Sequence, residues 1–232
     1  MLGISSLLKL VSGGDVAQKG TPAGANVSCA DLDWLIGLGY GRRMTMGAFS
    51  TGLVGGGAGT ILDLDQPEAC IAVPSGYCIR PIRIDVQVQT GLIAADNDEN
   101  EILLAVDSLG YWTGDGTFTT ENPSNMKTSV TVGSVCRCGT AFTADMTTTP
   151  TGAAAADPVL DMELARVVQT VDISTAVAVN MKELRLVYEP LYPEYLVGPC
   201  SLLLYFGGTV ANIGGFAQFA WVEGPSSLIV PS

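Results

Sequence analysis

The side chains best suited to holding an ion stand together in Asp96-Asn97-Asp98-Glu99-Asn100-Glu101. The segment offers oxygen ligands at alternate positions, as a calcium-binding loop does, with Asp107 falling twelfth. Asp96, Asp98 and Asn100 are the candidate metal ligands on that reading. Two departures count against it. Glu101 occupies the sixth position, where the sharp turn of such a loop calls for glycine, and an aspartate stands twelfth where a bidentate glutamate is usual. A solvated acidic turn between strands is the stronger expectation.

The six cysteines, at positions 29, 70, 78, 136, 138 and 200, include no C-x-x-C pair. Four thiolates from Cys70, Cys78, Cys136 and Cys138 around zinc, or a short disulfide loop between Cys70 and Cys78, compete with buried free thiols. Free thiols are favoured, because an isolated cysteine in a strand usually behaves as a small hydrophobe. The stretch from Tyr111-Trp112 to Gly114-Asp115-Gly116 sets adjacent aromatic rings beside a tight turn, a grouping that could stack on a sugar face. The plainer reading is a strand end with one ring buried and an Asp-Gly hairpin turn after it.

The chain contains no histidine. That excludes Ser-His-Asp and Cys-His nucleophiles, histidine-ligated zinc or copper, and an imidazole proton shuttle. None of Lys9, Lys19, Lys127 and Lys182 follows a glycine, so a Walker A loop is absent; Gly37-Leu38-Gly39-Tyr40-Gly41 departs from a dinucleotide fingerprint at Arg42. Among 23 acidic residues no spacing singles out a carboxylate pair for glycoside hydrolysis. With only 11 Lys and Arg the net charge is -12, the wrong sign for a phosphate-binding surface. The expectation is a protein without enzymatic activity, without a cofactor and without sequence-specific nucleic-acid binding.

The elements that must carry these residues read mostly as strands. A chain of 232 residues buries enough surface to fold without metal or cross-links. Its 47% hydrophobic and 15% charged content excludes disorder over most of its length. Ile82, Ile84, Val86 and Val88 alternate with Arg83, Asp85, Gln87 and Gln89, the period of two that marks a half-buried strand. The same signal places strands over 59–64, 101–107, 127–135, 138–146, 181–188, 201–206 and 215–222. Residues 157–173 fit two patterns equally: a helix opened by Asp157-Pro158, or a strand with one bulge. The uncharged runs 44–62 and 196–222 are long enough to span a bilayer, yet their glycines, and Pro199 in the second, favour buried strands.

Before the strands lies a different kind of chain. Ile4, Leu7, Leu8 and Val11 recur at helical spacing as a short apolar stripe, followed by a Gly-, Thr- and Ala-rich tether to Asn26. Such a helix is too short to stand alone, so the stripe is expected to dock elsewhere and these four residues are the candidate assembly arm. Ser28 and Asp31 precede Trp34-Leu35-Ile36 at capping-box spacing and predict a brief helix over 29–37. Residues 1–57 thus read as an N-terminal arm with short helices and a Gly-rich linker, and residues 58–232 as a β-sandwich. Met1-Leu2-Gly3 lacks the positive charge that opens a cleavable signal peptide, so none is expected.

The succession of arm, short helix and about eight strands closes on Ser201-Leu202-Leu203-Leu204-Tyr205-Phe206-Gly207-Gly208 and Gly215-Phe216-Ala217-Gln218-Phe219-Ala220-Trp221-Val222-Glu223. Over roughly residues 58–223 it resembles the viral single jelly-roll major capsid proteins. The resemblance implies an all-β fold, an eight-stranded antiparallel jelly-roll sandwich with a short N-terminal helical arm. It also implies a structural protein that self-assembles into an icosahedral virion shell, partnered by copies of itself and by other capsid proteins. One departure is informative: residues 1–30 hold only Lys9 and Lys19 as basic residues, against the strongly basic arms of many RNA-virus capsids. An apolar arm suits an inner face that meets a membrane or another protein layer. A carbohydrate-binding or adhesive β-sandwich, and a metal-dependent or carboxylate hydrolase, are the readings from other classes.

The period-two pattern generates a direct test. Ile84→Asp buries an unpaired charge and is expected to prevent folding, whereas Gln87→Lys on the opposite face is expected to leave the thermal midpoint nearly unchanged. Equal effects of the two substitutions in a thermal melt would show that the register is wrong.

Overall fold

The structure, a computed structural model, describes residues 7–9, 15–17, 32–46, 53–54, 62–90, 98–171, 182–208 and 214–229. Among these the first strands are β1 (Leu7–Lys9), β2 (Asp15–Ala17), β3 (Gly41–Met46), β4 (Leu53–Val54), β5 (Ala69–Val73) and β6 (Tyr77–Thr90). Next come β7 (Asp98–Asp107), β8 (Gly110–Trp112), β9 (Thr119–Glu121), β10 (Ser124–Asn125), β11 (Arg137–Thr140) and β12 (Thr148–Pro150). The last are β13 (Met162–Val171), β14 (Lys182–Tyr188), β15 (Leu196–Val197), β16 (Cys200–Gly208) and β17 (Gly214–Pro225). Two short helices, α1 (Leu32–Gly37) and α2 (Ser226–Ile229), complete the description.

The protein is all-β, with two antiparallel sheets in a sandwich-like arrangement. The first sheet runs β10-β3-β17-β6-β14, with β15 also on β6 and β4 on β17; the second runs β13-β7-β16-β5-β11-β9. Taken in chain order, the strands β3, β5, β6, β7, β13, β14, β16 and β17 pair first with last, second with seventh, third with sixth and fourth with fifth. β17 also pairs with β6, and β16 with β7, so the pattern is that of one long antiparallel hairpin wound up on itself. The sheets hold seven and six strands, not eight in all, because short pieces extend both of them. β3 and β4 pair with β17, so the first sheet takes in residues on both sides of the boundary expected at 57.

Alternation explains how the sheets meet. Ile84, Val86 and Val88 of β6 and Phe219 and Trp221 of β17 turn inward, against Ile71 of β5, Leu104 of β7 and Leu202, Leu204 and Phe206 of β16, all buried. Ile82 does not join this set. The register slips between Ala220 and Trp221, which face Arg83 and Pro81 and leave Ile82 opposite neither; this bulge turns Ile82 toward Leu35 of α1, Cys78 and Val222 on the other face.

The second sheet is covered on both sides. Cys70, Ala72, Leu103, Ala105, Leu203 and Tyr205 point away from the first sheet into a second core, closed by Trp112, Phe142 and Met146 from the long excursion between β7 and β13. Strands buried on both faces need no polar alternation. That is why Ala69-Cys70-Ile71-Ala72-Val73, an apolar run between Pro67 and Pro74, is a strand although its sequence shows no period of two.

Four other expectations are corrected. Residues 127–135 are not a strand but an irregular loop, because their β-branched side chains find no partner ladder; Val132 is 66% exposed. The strand expected over 138–146 stops at Thr140, where Ala141 takes φ 53 and turns the chain beneath Trp112. Of 59–64, the described residues 62–64 are not a strand but lead into a turn closed by the Gln66 amide donating to the Asp63 carbonyl at 3.2 Å, with the Asp65 amide donating to the Asp63 carboxylate. Leu7 and Leu8 stand in a strand, β1, paired with β2, and not in a helical stripe; Ile4 and Val11 lie outside the described residues. The brief helix ahead of Gly39 is present as α1, and Gly39 ends it with φ 92. Residues 162–171 settle on the strand, with one bulge between Glu163 and Ala165.

A buried ion pair pins the point where the first and last long strands meet. Arg42 of β3 and Glu223 of β17 lie 2.8 Å apart, with side chains 4% and 1% exposed. The carboxylate also accepts from Ser134 Oγ at 2.5 Å, the Val135 amide at 3.0 Å and Trp221 Nε1 at 3.1 Å. The guanidinium donates to the carbonyls of Gly39 and Gly133 at 2.7 and 3.1 Å. The pair thus ties the α1–β3 junction and the 126–136 loop to the last strand. Removing one partner leaves the other charge buried and unmatched, at a cost of about 3–5 kcal/mol. Glu223→Ala is therefore expected to lower the thermal midpoint by on the order of 10 °C; a change of under about 2 °C would show that the pair holds nothing.

Candidate functional site

From Asp98 onward the acidic segment stands in a strand and not in a loop. Asp98 and Asn100 stand in β7, opposite Val171 and Gln169 of β13, and Asn100 also faces Gly208 of β16. Asp96 lies outside the described residues. Asp107, the would-be twelfth ligand, closes the same strand, about 30 Å from Asp98 at 3.3 Å per residue. There its buried carboxylate accepts from the Gly110 amide at 2.7 Å, Thr148 Oγ1 at 2.6 Å and the Val159 amide at 3.2 Å. Asp107 is a structural anchor that holds both ends of the β7–β13 excursion. Among the described residues no group of three or more Cys, Asp or Glu side chains is placed to hold a metal ion.

The described cysteines follow the plain expectation. Cys70, Cys78, Cys136, Cys138 and Cys200 are free and buried. Cys70 lies in the outer core of the second sheet, Cys136 and Cys138 between the sheets, and Cys78 against α1, so the four thiols proposed for zinc face three different environments. Burial pushes the Cys78 thiol up to about 11 and that of Cys200 up to about 12, which leaves both protonated and unreactive near neutral pH.

Trp112 is fully buried, edge-on to Phe118 and Phe142 with ring centroids 4.6 and 5.1 Å away, and its indole N–H donates to the Asp115 carbonyl. The Tyr111-Trp112 pair is therefore not an exposed platform for stacking on sugars. It is a plug over the second sheet.

What the fold presents to its surroundings is surface. The outer face of the first sheet carries a ladder of charges, in which Arg185 Nη2 sits 2.7 Å and Arg83 Nη2 3.0 Å from the Asp85 carboxylate, and Arg83 Nη1 2.9 Å from Glu189. The hydrogen bonds from Arg185 and Arg83 hold the Asp85 carboxyl below its ordinary range in spite of partial burial. A depression beside this ladder, lined by Arg43, Arg83, Asp85 and Gln218, has about 40 Å³ of space, far below the several hundred that a metabolite needs.

The other notable surface feature is apolar. Large apolar side chains stand in water: Leu191 and Tyr192 are each 84% exposed, Leu109 68%, Val132 66% and Val159 62%. Sequence reading missed this feature. The signal was available in Glu189-Pro190-Leu191-Tyr192-Pro193-Glu194, two large apolar residues between prolines, but prolines read first as strand breakers. No family model, no curated protein and no solved structure matches this chain.

Proposed function

We propose that the chain is a structural capsid protein, a jelly roll that assembles with copies of itself and with other capsid proteins into the icosahedral shell of a virion. The observation that carries this reading is the pairing of first long strand with last, second with seventh, third with sixth and fourth with fifth. That order is the one a jelly roll requires, and capsid proteins are a major class built on it. Lectins share the architecture, so surface chemistry has to choose between them. Burial of Trp112 removes the aromatic pair that favoured a sugar-binding module. The absence of histidine leaves a histidine-based metal site closed to this chain. Large apolar side chains left exposed, Leu191 and Tyr192 most of all, favour a protein that buries surface against its neighbours.

The role of the N-terminal segment follows from its charge. Two lysines in residues 1–30 offer packaged nucleic acid little attraction, so the arm, with Ile4, Leu7, Leu8 and Val11, is assigned to a neighbouring subunit, an inner protein layer or a membrane.

Negative-stain microscopy of the purified full-length chain tests the reading, with closed shells or regular arrays expected. Deleting residues 1–26 is expected to weaken this assembly, or binding to liposomes, while leaving the thermal midpoint of the domain nearly unchanged. Single particles of monomer size at every concentration would contradict the reading, and loss of folding on deletion would contradict the role given to the arm.

A further inference from the structure

Resting on the self-assembly reading, we infer that the segment 128–135 of one copy adds as a strand to the open edge of β13 in a second copy. The segment has the composition of a strand and no ladder. Thr128, Val130, Thr131, Val132 and Val135 are β-branched, and none of the eight residues is charged. Yet the segment is an irregular loop with Val132 66% exposed, and among the described residues none accepts from the amides of Thr131, Val132 or Gly133. Its far end is anchored, because the Gly133 carbonyl accepts from Arg42 at 3.1 Å and the Val135 amide donates to Glu223 at 3.0 Å. A segment fixed in this way gives up less entropy on docking than a free tail would.

The receiving surface is a strand edge. β13 ends the second sheet and, among the described residues, pairs with β7 alone. From Ala165 to Val171 its register runs without a break, seven residues of backbone edge for a segment of eight. An edge of that length is a template for another strand. Val168 is 45% exposed on it, and Arg166, its one charged residue, is already paired with Glu101 and Glu163.

Charge complementarity selects this segment as the occupant. Between residues 122 and 144 the chain holds Lys127 and Arg137 and no acid, a local surplus of base within a net charge of -12. β7 and β13 together hold Asp98, Glu99, Glu101, Asp107 and Glu163 against Arg166 alone. A basic-flanked segment is drawn to that acidic edge, whereas β13 laid against another β13 would bring like charges together. The two halves also lie on opposite flanks of the sandwich. The segment leaves β10 at one end of the first sheet, and β13 touches β14 at the other end. They do not meet within one chain, but copies set side by side join them head to tail, the kind of contact that repeats around a closed assembly.

The test places a photo-crosslinking residue at position 132 of the full-length chain, mixed with an equal amount of isotope-labelled, otherwise unchanged chain. Mass spectrometry after irradiation is expected to find position 132 joined to labelled peptides from residues 162–171. Sedimentation velocity over a concentration series compares the wild type with Val132→Pro, which restrains the inserted backbone, and with Val168→Lys, which places a charge on the edge. Each variant is expected to need about tenfold higher concentration to form large species. Their thermal midpoints are expected within about 2 °C of wild type, because both side chains are exposed. If the wild type assembles but position 132 joins no labelled peptide from 162–171, the strand addition is wrong and the self-assembly reading stands; unchanged assembly by both variants has the same meaning. If the wild type stays monomeric throughout, that reading fails and the inference fails with it.

Discussion

The last long strand lies between the first and the third, and the rest of the structure depends on that insertion. β17 pairs with β3 through Val222↔Gly41 to Ala217↔Met46 and with β6 over nearly its whole length. Until residues 214–225 are in place, β3 and β6 have no common neighbour and the inner side chains of the first sheet have no complete surface to pack against. Contacts so distant in sequence make folding slow, because loop closure must precede the burial that offsets it. The Arg42–Glu223 pair sits at this closure and is nearly dry, so it adds specificity where strands from opposite ends of the domain must find each other.

A second constraint follows from the first. Winding the hairpin leaves the outer face of the second sheet apolar, and the chain covers it with its own long excursion between β7 and β13. Trp112, Phe118 and Phe142 pack over Gly139, where a side chain's first carbon would come within 2.7 Å of the indole ring. Asp107 fixes both ends of the excursion through buried hydrogen bonds. Among the described residues the outer face of the first sheet has no such cover over its middle and is correspondingly charged, with Arg83 and Arg185 both paired to Asp85 across β6 and β14. Among the described residues the two outer faces of the sandwich thus differ chemically.

The parts of the fold that were legible in sequence are those where one face meets water. Arg83, Asp85 and Gln87 alternate with core residues and gave β6 away; β14 and β17 were found by the same contrast. β5 was missed because burial on both faces erases the contrast, and 127–135 was over-read because β-branched residues on an exposed loop mimic a strand. The alternation in 162–171 was obscured by the bulge at Glu163–Ala165, which shifts the phase within one strand. The candidate site was less legible still. A calcium loop depends on local spacing, and the spacing from Asp96 to Asp107 was there, but a ten-residue strand carries Asp107 away from Asp98 and Asn100. An exposed apolar turn has no periodic signature, so Leu191 and Tyr192 emerge only from the three-dimensional surface.

The closure of the last strand on the first is the claim from which both the architecture and the proposed shell role descend. Thr45 and Gln218 are opposite each other across β3 and β17, both exposed on the outer face. Cross-strand neighbours have Cα atoms about 4.5–5.5 Å apart, within the span of a disulfide. The described native cysteines are buried and do not compete. The most direct measurement is peptide mapping of Thr45→Cys/Gln218→Cys after mild oxidation of the folded protein. The account predicts a linked pair of peptides containing positions 45 and 218, formed at native-state thermal stability. Two free thiols at these positions in the oxidised, folded protein would contradict it.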